Sequence, residues 1–114
     1  MPHFVIDCSE PIISLKSPEE IMQRVYDSAT ASKLFEEGDI KVRINPFKYF
    51  NVGNSSDDFI HIFGNIMEGR TQEQKSLLSK SIVSELKQMF PEVPIISINI
   101  RDFEMASYCN KTMV

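Results

Sequence analysis

The sequence predicts an α+β domain built from two consecutive βαβ units: a four-stranded sheet with two helices on one face. Three observations carry this. The order strand, helix, strand occurs twice along 114 residues. Matching features recur at nearly one interval. The helix caps Ser17 and Thr71 lie 54 residues apart, the strands after the helices begin near Ile40 and Ile95, 55 apart, and the strands before them begin near His3 and Phe59, 56 apart. The composition, 42% hydrophobic and 25% charged, is that of one folded domain and not of a disordered or low-complexity chain. The halves 1–55 and 56–114 repeat in pattern more than in residue identity, and together they form a single domain over 1–114. Parallel pairing within each unit, with a right-handed crossover, puts both helices on one side of the sheet.

Each element follows from its residues. His3 to Cys8 is rich in β-formers and reads as a buried strand, ended by Pro11 and the polar residues after it. Ser17-Pro18-Glu19-Glu20 opens a helix: Ser17 caps, Pro18 suits the first position, and Glu20 completes a capping box. Ile21, Val25, Ser28 or Ala29, Ser32 and Phe35 trace its apolar-to-small face, and Gly38 is placed to terminate it. Ile40 to Phe50 returns to β character, with Lys41 and Arg43 on one face and Pro46 demanding an edge, bulge or bend. Asn51 to Asp58 is a polar turn. Phe59 to Met67 is the third strand, with Gly64 a bulge or point of close approach. Thr71 to Gln74 is a second capping box, and Leu78, Ile82, Leu86 and Met89 trace the second helical face until Pro91. Ile95 to Ile100 is the fourth strand. The last dozen residues cover an edge or reach a neighbour.

Both strand parities carry apolar side chains: Phe4, Ile6, Ile60 and Ile62 on one, Val5, Phe59 and Phe63 on the other. Two helices cover one face. The other face therefore predicts packing against another subunit. A small chain also has little volume for a deep pocket of its own, which points to an active site at a subunit contact or a chain end.

Charge and residue usage narrow the function. Twelve basic against sixteen acidic residues give a net charge of −4, which excludes nucleic acid or an anionic membrane as a general partner but not a small anion held locally. Two cysteines, Cys8 and Cys109, are too few for a disulfide scaffold. His3 and His61 have no metal-ligand spacing, so no metal is expected. The apolar runs are far shorter than the ~20 residues of a membrane span, and Met1-Pro2-His3 leads directly into a strand without a signal segment; a cytoplasmic protein is expected. No nucleophile elbow or phosphate loop occurs. The paired carboxylates Glu19-Glu20, Glu36-Glu37 and Asp57-Asp58 lie at helix ends or in a turn and read as caps or solvated faces. Pro2 is left. If Met1 is removed, Pro2 offers a secondary amine, and partial burial with cations nearby would draw its pKa toward neutrality, where a general base works best. From residue types alone Pro2 reads first as a tolerated first residue, and Arg43 and Arg70 as surface charges.

The stretch Met1-Pro2-His3-Phe4-Val5-Ile6-Asp7-Cys8-Ser9 resembles the start of the tautomerase superfamily, most nearly the 5-carboxymethyl-2-hydroxymuconate isomerases. Ile40-Lys41-Val42-Arg43 is similar to a strand there that bears two arginines two apart, and Gly69-Arg70-Thr71 to a Gly-Arg step opening the second helix. The resemblance covers most of the chain, with the first helix and tail matching in pattern only. It implies the double βαβ fold in a homotrimer, and a reaction without cofactor or metal. In that reaction an amino-terminal proline moves a proton in an unsaturated 2-hydroxy or 2-oxo polycarboxylic acid from the breakdown of aromatic compounds. By position, Pro2 would be the base, while Arg43 and Arg70 would hold substrate carboxylates through their planar forks. Lys41 stands where the family has an arginine, keeping the charge but losing the fork. Asn99 falls where a relative, macrophage migration inhibitory factor, has a pocket asparagine from a neighbouring subunit. Two alternatives stand beside the isomerase: a superfamily hydratase or dehalogenase of unsaturated acids, and a binding protein of the cytokine-like branch.

Overall fold

A computed structural model describes residues 1–114. Strand β1 (His3–Ser9) leads into a short helix α1 (Ile12–Leu15) and then α2 (Pro18–Ala31). Strand β2 (Lys41–Phe47), strand β3 (Phe59–Met67), helix α3 (Gln72–Met89) and strand β4 (Ile95–Phe103) follow. The sheet order is β2-β1-β3-β4, parallel within each half and antiparallel where β1 meets β3. This is the expected pair of βαβ units.

The core is the even-numbered face of β1. Phe4, Ile6 and Cys8 are fully buried, as are their partners Ile60 and Ile62 on β3. Ile21, Val25 and Ala29 of α2 and Leu78, Ile82 and Leu86 of α3 close over them. Burying one such side chain contributes roughly 1.5–3 kcal/mol, so this layer dominates stability. Gly64 is a point of close approach: a Cβ there would sit 2.6 Å from Ile100 Cδ1 and 3.2 Å from Phe4 Cε1. Pro46 lies on the edge strand β2, where its missing N–H costs no ladder bond on the outer side.

The caps form as the residues dictate, with one difference. Thr71 and Gln74 make both bonds of a capping box. At Ser17 only half forms: its hydroxyl oxygen accepts from the Glu20 N–H, while the Glu20 carboxylate accepts from the Ser17 hydroxyl instead of reaching the cap's backbone.

Three expectations need correcting. Helix α2 stops at Ala31, well before Gly38, which lies in a 3₁₀ turn over Glu37–Asp39. The left-handed residue that ends the helix is Lys33, at φ +62°. The reason is tertiary: Leu34 and Phe35 are drawn out of the helix to meet Arg70. The segment after β1 is not simply a break, because it holds α1, whose Ile12 is fully buried. Strand β4 runs on to Phe103, because the end of β3 stays paired with it through Met67. No helix is long and apolar enough to cross a membrane.

Candidate functional site at the chain start

The topology brings four chain segments to one end of the sheet. β1 and β2 begin there, while β3 and β4, running the other way, end there. Pro2 is fully buried at this end, and its carbonyl oxygen accepts from the Lys41 backbone N–H at 3.0 Å. That bond extends the β1–β2 ladder by one residue and fixes where the chain starts.

Arg70 reaches the same place from β3. Gly69, at φ +121°, supplies a turn that few residues other than glycine adopt. The Arg70 guanidinium donates to the carbonyls of Leu34 (2.7 Å) and Met67 (3.2 Å) and lies 4.9 Å over the Phe35 ring. Phe35 in turn meets Phe4 edge-on at 6.1 Å. Lys41 bends back toward the chain start, its ammonium donating to the Asp39 carbonyl at 2.8 Å and lying 3.8 Å from Met1 Sδ.

The electrostatics favour an uncharged amine. The α-amino group of Met1 is held below its ordinary 8.0, first by burial; Asp39 opposes the shift, while Arg70 and Lys41 add to it.

Arg43 is placed differently. It projects from the open face of the sheet, the face without helices, and bonds to His3 Nδ1 at 3.1 Å. A guanidinium cannot accept, so Nδ1 is the acceptor and the ring proton of neutral His3 sits on Nε2. Burial, then Arg43, then Lys41 and the terminal amine, push the His3 pKa below its ordinary 6.5 and keep the ring neutral. Asn65, Phe103 and Tyr108 complete a cavity of about 290 Å³ around this pair. A second cavity of about 390 Å³ opens at Arg70, between Lys33, Glu68 and Gln74.

Asn99 is not part of this group. It lies on β4, separated from β1 by β3, where its side-chain oxygen accepts from His61 Nε2 at 2.7 Å; His61 Nδ1 is 2.7 Å from Ser97 Oγ. Within one chain, then, Pro2, Lys41 and Arg70 converge, Arg43 stands on the adjoining open face, and Asn99 stands apart. Cys8 offers no nucleophile here: burial, then Asp7 and Asp58, push its thiol up to about 11. Asn65, Phe103 and Tyr108 carry no sequence signal of their own, since only the pairing of β3 with β4 and the course of the tail bring them in, while Phe35 and Asp39 are brought in by the α2–β2 connection.

Chemically, this end of the sheet can do two things. Its cations can hold carboxylates, and an amine at the chain start gives up its proton more readily than a free one.

A model of the family described as 5-carboxymethyl-2-hydroxymuconate isomerase matches residues 2–111. No curated protein matches the chain in sequence. Solved structures share the fold. A 5-carboxymethyl-2-hydroxymuconate isomerase from Deinococcus radiodurans R1 superposes with TM-score 0.84 at 23% identity, covering 96% of this chain and 88% of that one. A 5-carboxymethyl-2-hydroxymuconate delta-isomerase gives 0.78 at 16%, covering 97% and 87%. A macrophage migration inhibitory factor-like protein from Entamoeba histolytica gives 0.76 at 16%, covering 96% and 95%.

Proposed function

The chain belongs to the 5-carboxymethyl-2-hydroxymuconate isomerase family, and on that premise we propose that it is a cofactor-independent isomerase of unsaturated 2-hydroxy or 2-oxo polycarboxylic acids. Removal of Met1 frees the Pro2 secondary amine. The amine takes a proton from the substrate and returns it at another position of the conjugated chain, through a dienol, with no net change in atoms. Arg70 and Lys41 hold carboxylates and steady the dienolate charge as it develops. Arg43 holds a carboxylate farther from the base, and Asn99 enters a site only from a neighbouring subunit. The protein works as a cytoplasmic homotrimer in aromatic-acid breakdown.

One observation carries this reading: the Met1 amine, one residue before Pro2, is held below its ordinary pKa by burial, with Arg70 and Lys41 adding to the shift. The test combines intact mass with kinetics on a 2-hydroxymuconate-type acid. The active protein is expected to lack Met1, and Pro2→Ala to lower the rate by about 10²–10⁴, the usual share of a positioned acid–base group. The rate rises with pH as the amine loses its proton. Full activity in Pro2→Ala, or in protein that keeps Met1, refutes the mechanism, because an acylated proline nitrogen has no basic lone pair. A panel that includes haloacrylates separates isomerase from dehalogenase.

A further inference from the structure

We propose that Ser97, His61 and Asn99 form a second reactive site on the open face of the sheet: an acyl-transfer site for small carboxylic esters, with Ser97 as the nucleophile. It does not depend on Pro2 or on the isomerase reading.

Sheet register brings the three residues together. His61 on β3 and Ser97 on β4 are partners across the parallel ladder, and Asn99 follows two residues on, so all three share the open face. Their neighbours Ile60, Ile62, Ile96 and Ile98 pack into the helix-side core. His61 Nδ1 lies 2.7 Å from Ser97 Oγ, and its Nε2 lies 2.7 Å from Asn99 Oδ1. An amide oxygen can only accept, so Nε2 carries the ring proton. Nδ1 of the neutral ring is then bare and accepts from the Ser97 hydroxyl. A hydroxyl, a base within hydrogen-bond reach and a third group that orients the base constitute an activated nucleophile.

The surroundings suit the charges that such a reaction develops. Asp7 of β1 is the register partner of His61 on its other side and shares the open face. Its negative charge favours the imidazolium that forms when Ser97 gives up its proton. Phe63 meets the His61 ring edge-on at 4.5 Å and shields it from one side. β4 is an edge strand. Successive strand residues turn their N–H groups alternately toward and away from the neighbouring strand, so either Ser97 or Ile98 offers a free N–H on the outer edge, a donor for the oxyanion of a tetrahedral intermediate. A cavity of about 490 Å³ borders Ser97 and Ile98 along this edge, against Ser79, Lys80, Ser84 and Lys87 of α3. That volume takes a small ester, and the polar lining admits water.

The reaction balances with water as the only co-reactant. Ser97 Oγ bonds to the ester carbonyl carbon while its proton passes to His61 Nδ1. The bond from that carbon to the alcohol oxygen breaks, and His61 returns the proton to the departing alcohol, leaving acyl-Ser97. Water then adds to the acyl carbon and gives a proton to His61, which passes it to Ser97 Oγ as the acid leaves. Nothing is oxidised or reduced. Asn99 is a positioning residue: it acts through the tautomer and orientation of His61.

Two probes test this on the full chain: para-nitrophenyl acetate, followed by phenolate release, and diisopropyl fluorophosphate, which loses fluoride to an activated serine and leaves a mass adduct. The adduct is expected on Ser97 by peptide mapping. Ser97→Ala is expected to lose the adduct, and Ser97→Ala and His61→Gln each to slow phenolate release by about 10², the low end of what a positioned base contributes. Circular dichroism reports whether each variant folds, and the mapped adduct on the native chain decides where one does not. The labelling rate should rise with pH as His61 loses its proton. Asn99→Asp should move that midpoint to higher pH, because a carboxylate favours the imidazolium; an unmoved midpoint removes Asn99 from the site. No adduct, an adduct on the chain-start amine, Cys109 or another serine instead of Ser97, or a folded His61→Gln that reacts as fast as the native chain overturns the proposal. Proton transfer on a 2-hydroxymuconate-type acid is a separate readout, so either activity can fail while the other stands.

Discussion

His3 shows how one contact sets a side chain's chemistry. Arg43 claims its Nδ1, fixes the tautomer, and repels a second proton. Burial is the larger cause of its lowered pKa, with Arg43 and Lys41 next. The consequence for stability has a definite sign. A histidine whose folded pKa lies below its unfolded 6.5 leaves the unfolded chain binding protons first as pH falls. Its share of stability is therefore whole above about pH 6.5 and drains away as pH falls from there through the lower folded value. His3→Gln keeps an acceptor for Arg43 but cannot titrate. The urea midpoint of the variant should drop less between pH 8 and pH 5 than that of the native chain. An equal drop in the two proteins would show that His3 has no such linkage. The sequence placed His3 at a strand start but gave no sign of its partner, because Arg43 becomes a neighbour only through the parallel register of β1 and β2.

At the scale of elements, the strands were the most legible part of the chain. β3 is bounded where its residues predict, Phe59 to Met67, and Thr71 caps α3 with the full box. Period and capping chemistry are local, so they can be read locally. The end of α2 could not be, because Gly38 is a better helix stop than Lys33 on local grounds alone. What overrides propensity is the demand of Arg70 for the Leu34 carbonyl and the Phe35 ring, made from the other half of the chain. Gly64 was legible as a special position, though not its neighbours. Its missing side chain lets Ile100 and Phe4 close over β3. Gly64→Ala is expected to cost on the order of 1–3 kcal/mol by overpacking. Ile100→Val removes the Cδ1 atom that stands 2.6 Å from the new methyl. The same glycine substitution should then cost less in the Ile100→Val background, measured as coupling in a double-mutant cycle of urea unfolding. Additive costs would place the strain at the buried Phe4 ring instead.

For the whole molecule, the open face of the sheet is the surface that one chain leaves uncovered. The helix face is closed, with Ile6 and Ile62 at 0% exposure, while Phe63 on the open face stands 39% exposed beside Val5, its partner in register. Ile95, at the far end of that face, is 36% exposed. Around this apolar centre run His61, Ser97 and Asn99, whose polar atoms already satisfy one another. Such a face suits neither bulk water nor a dry core. It suits an interior shared by several sheets, apolar at its centre and hydrated at its margins. The proposed trimer, with its three open faces turned inward, would supply that interior, and it would give Asn99 a route to a neighbour's Pro2 that one chain does not offer. Native mass spectrometry should therefore give three times the 13.1 kDa chain mass. Phe63→Glu should give single chains with intact helical and strand content, since three carboxylates facing one another repel strongly in a low-dielectric interior. Those single chains should lose proton transfer, if the site is shared between subunits. A native protein that runs as a monomer, or a Phe63→Glu variant that still weighs three chains, would show that the open face is covered in some other way.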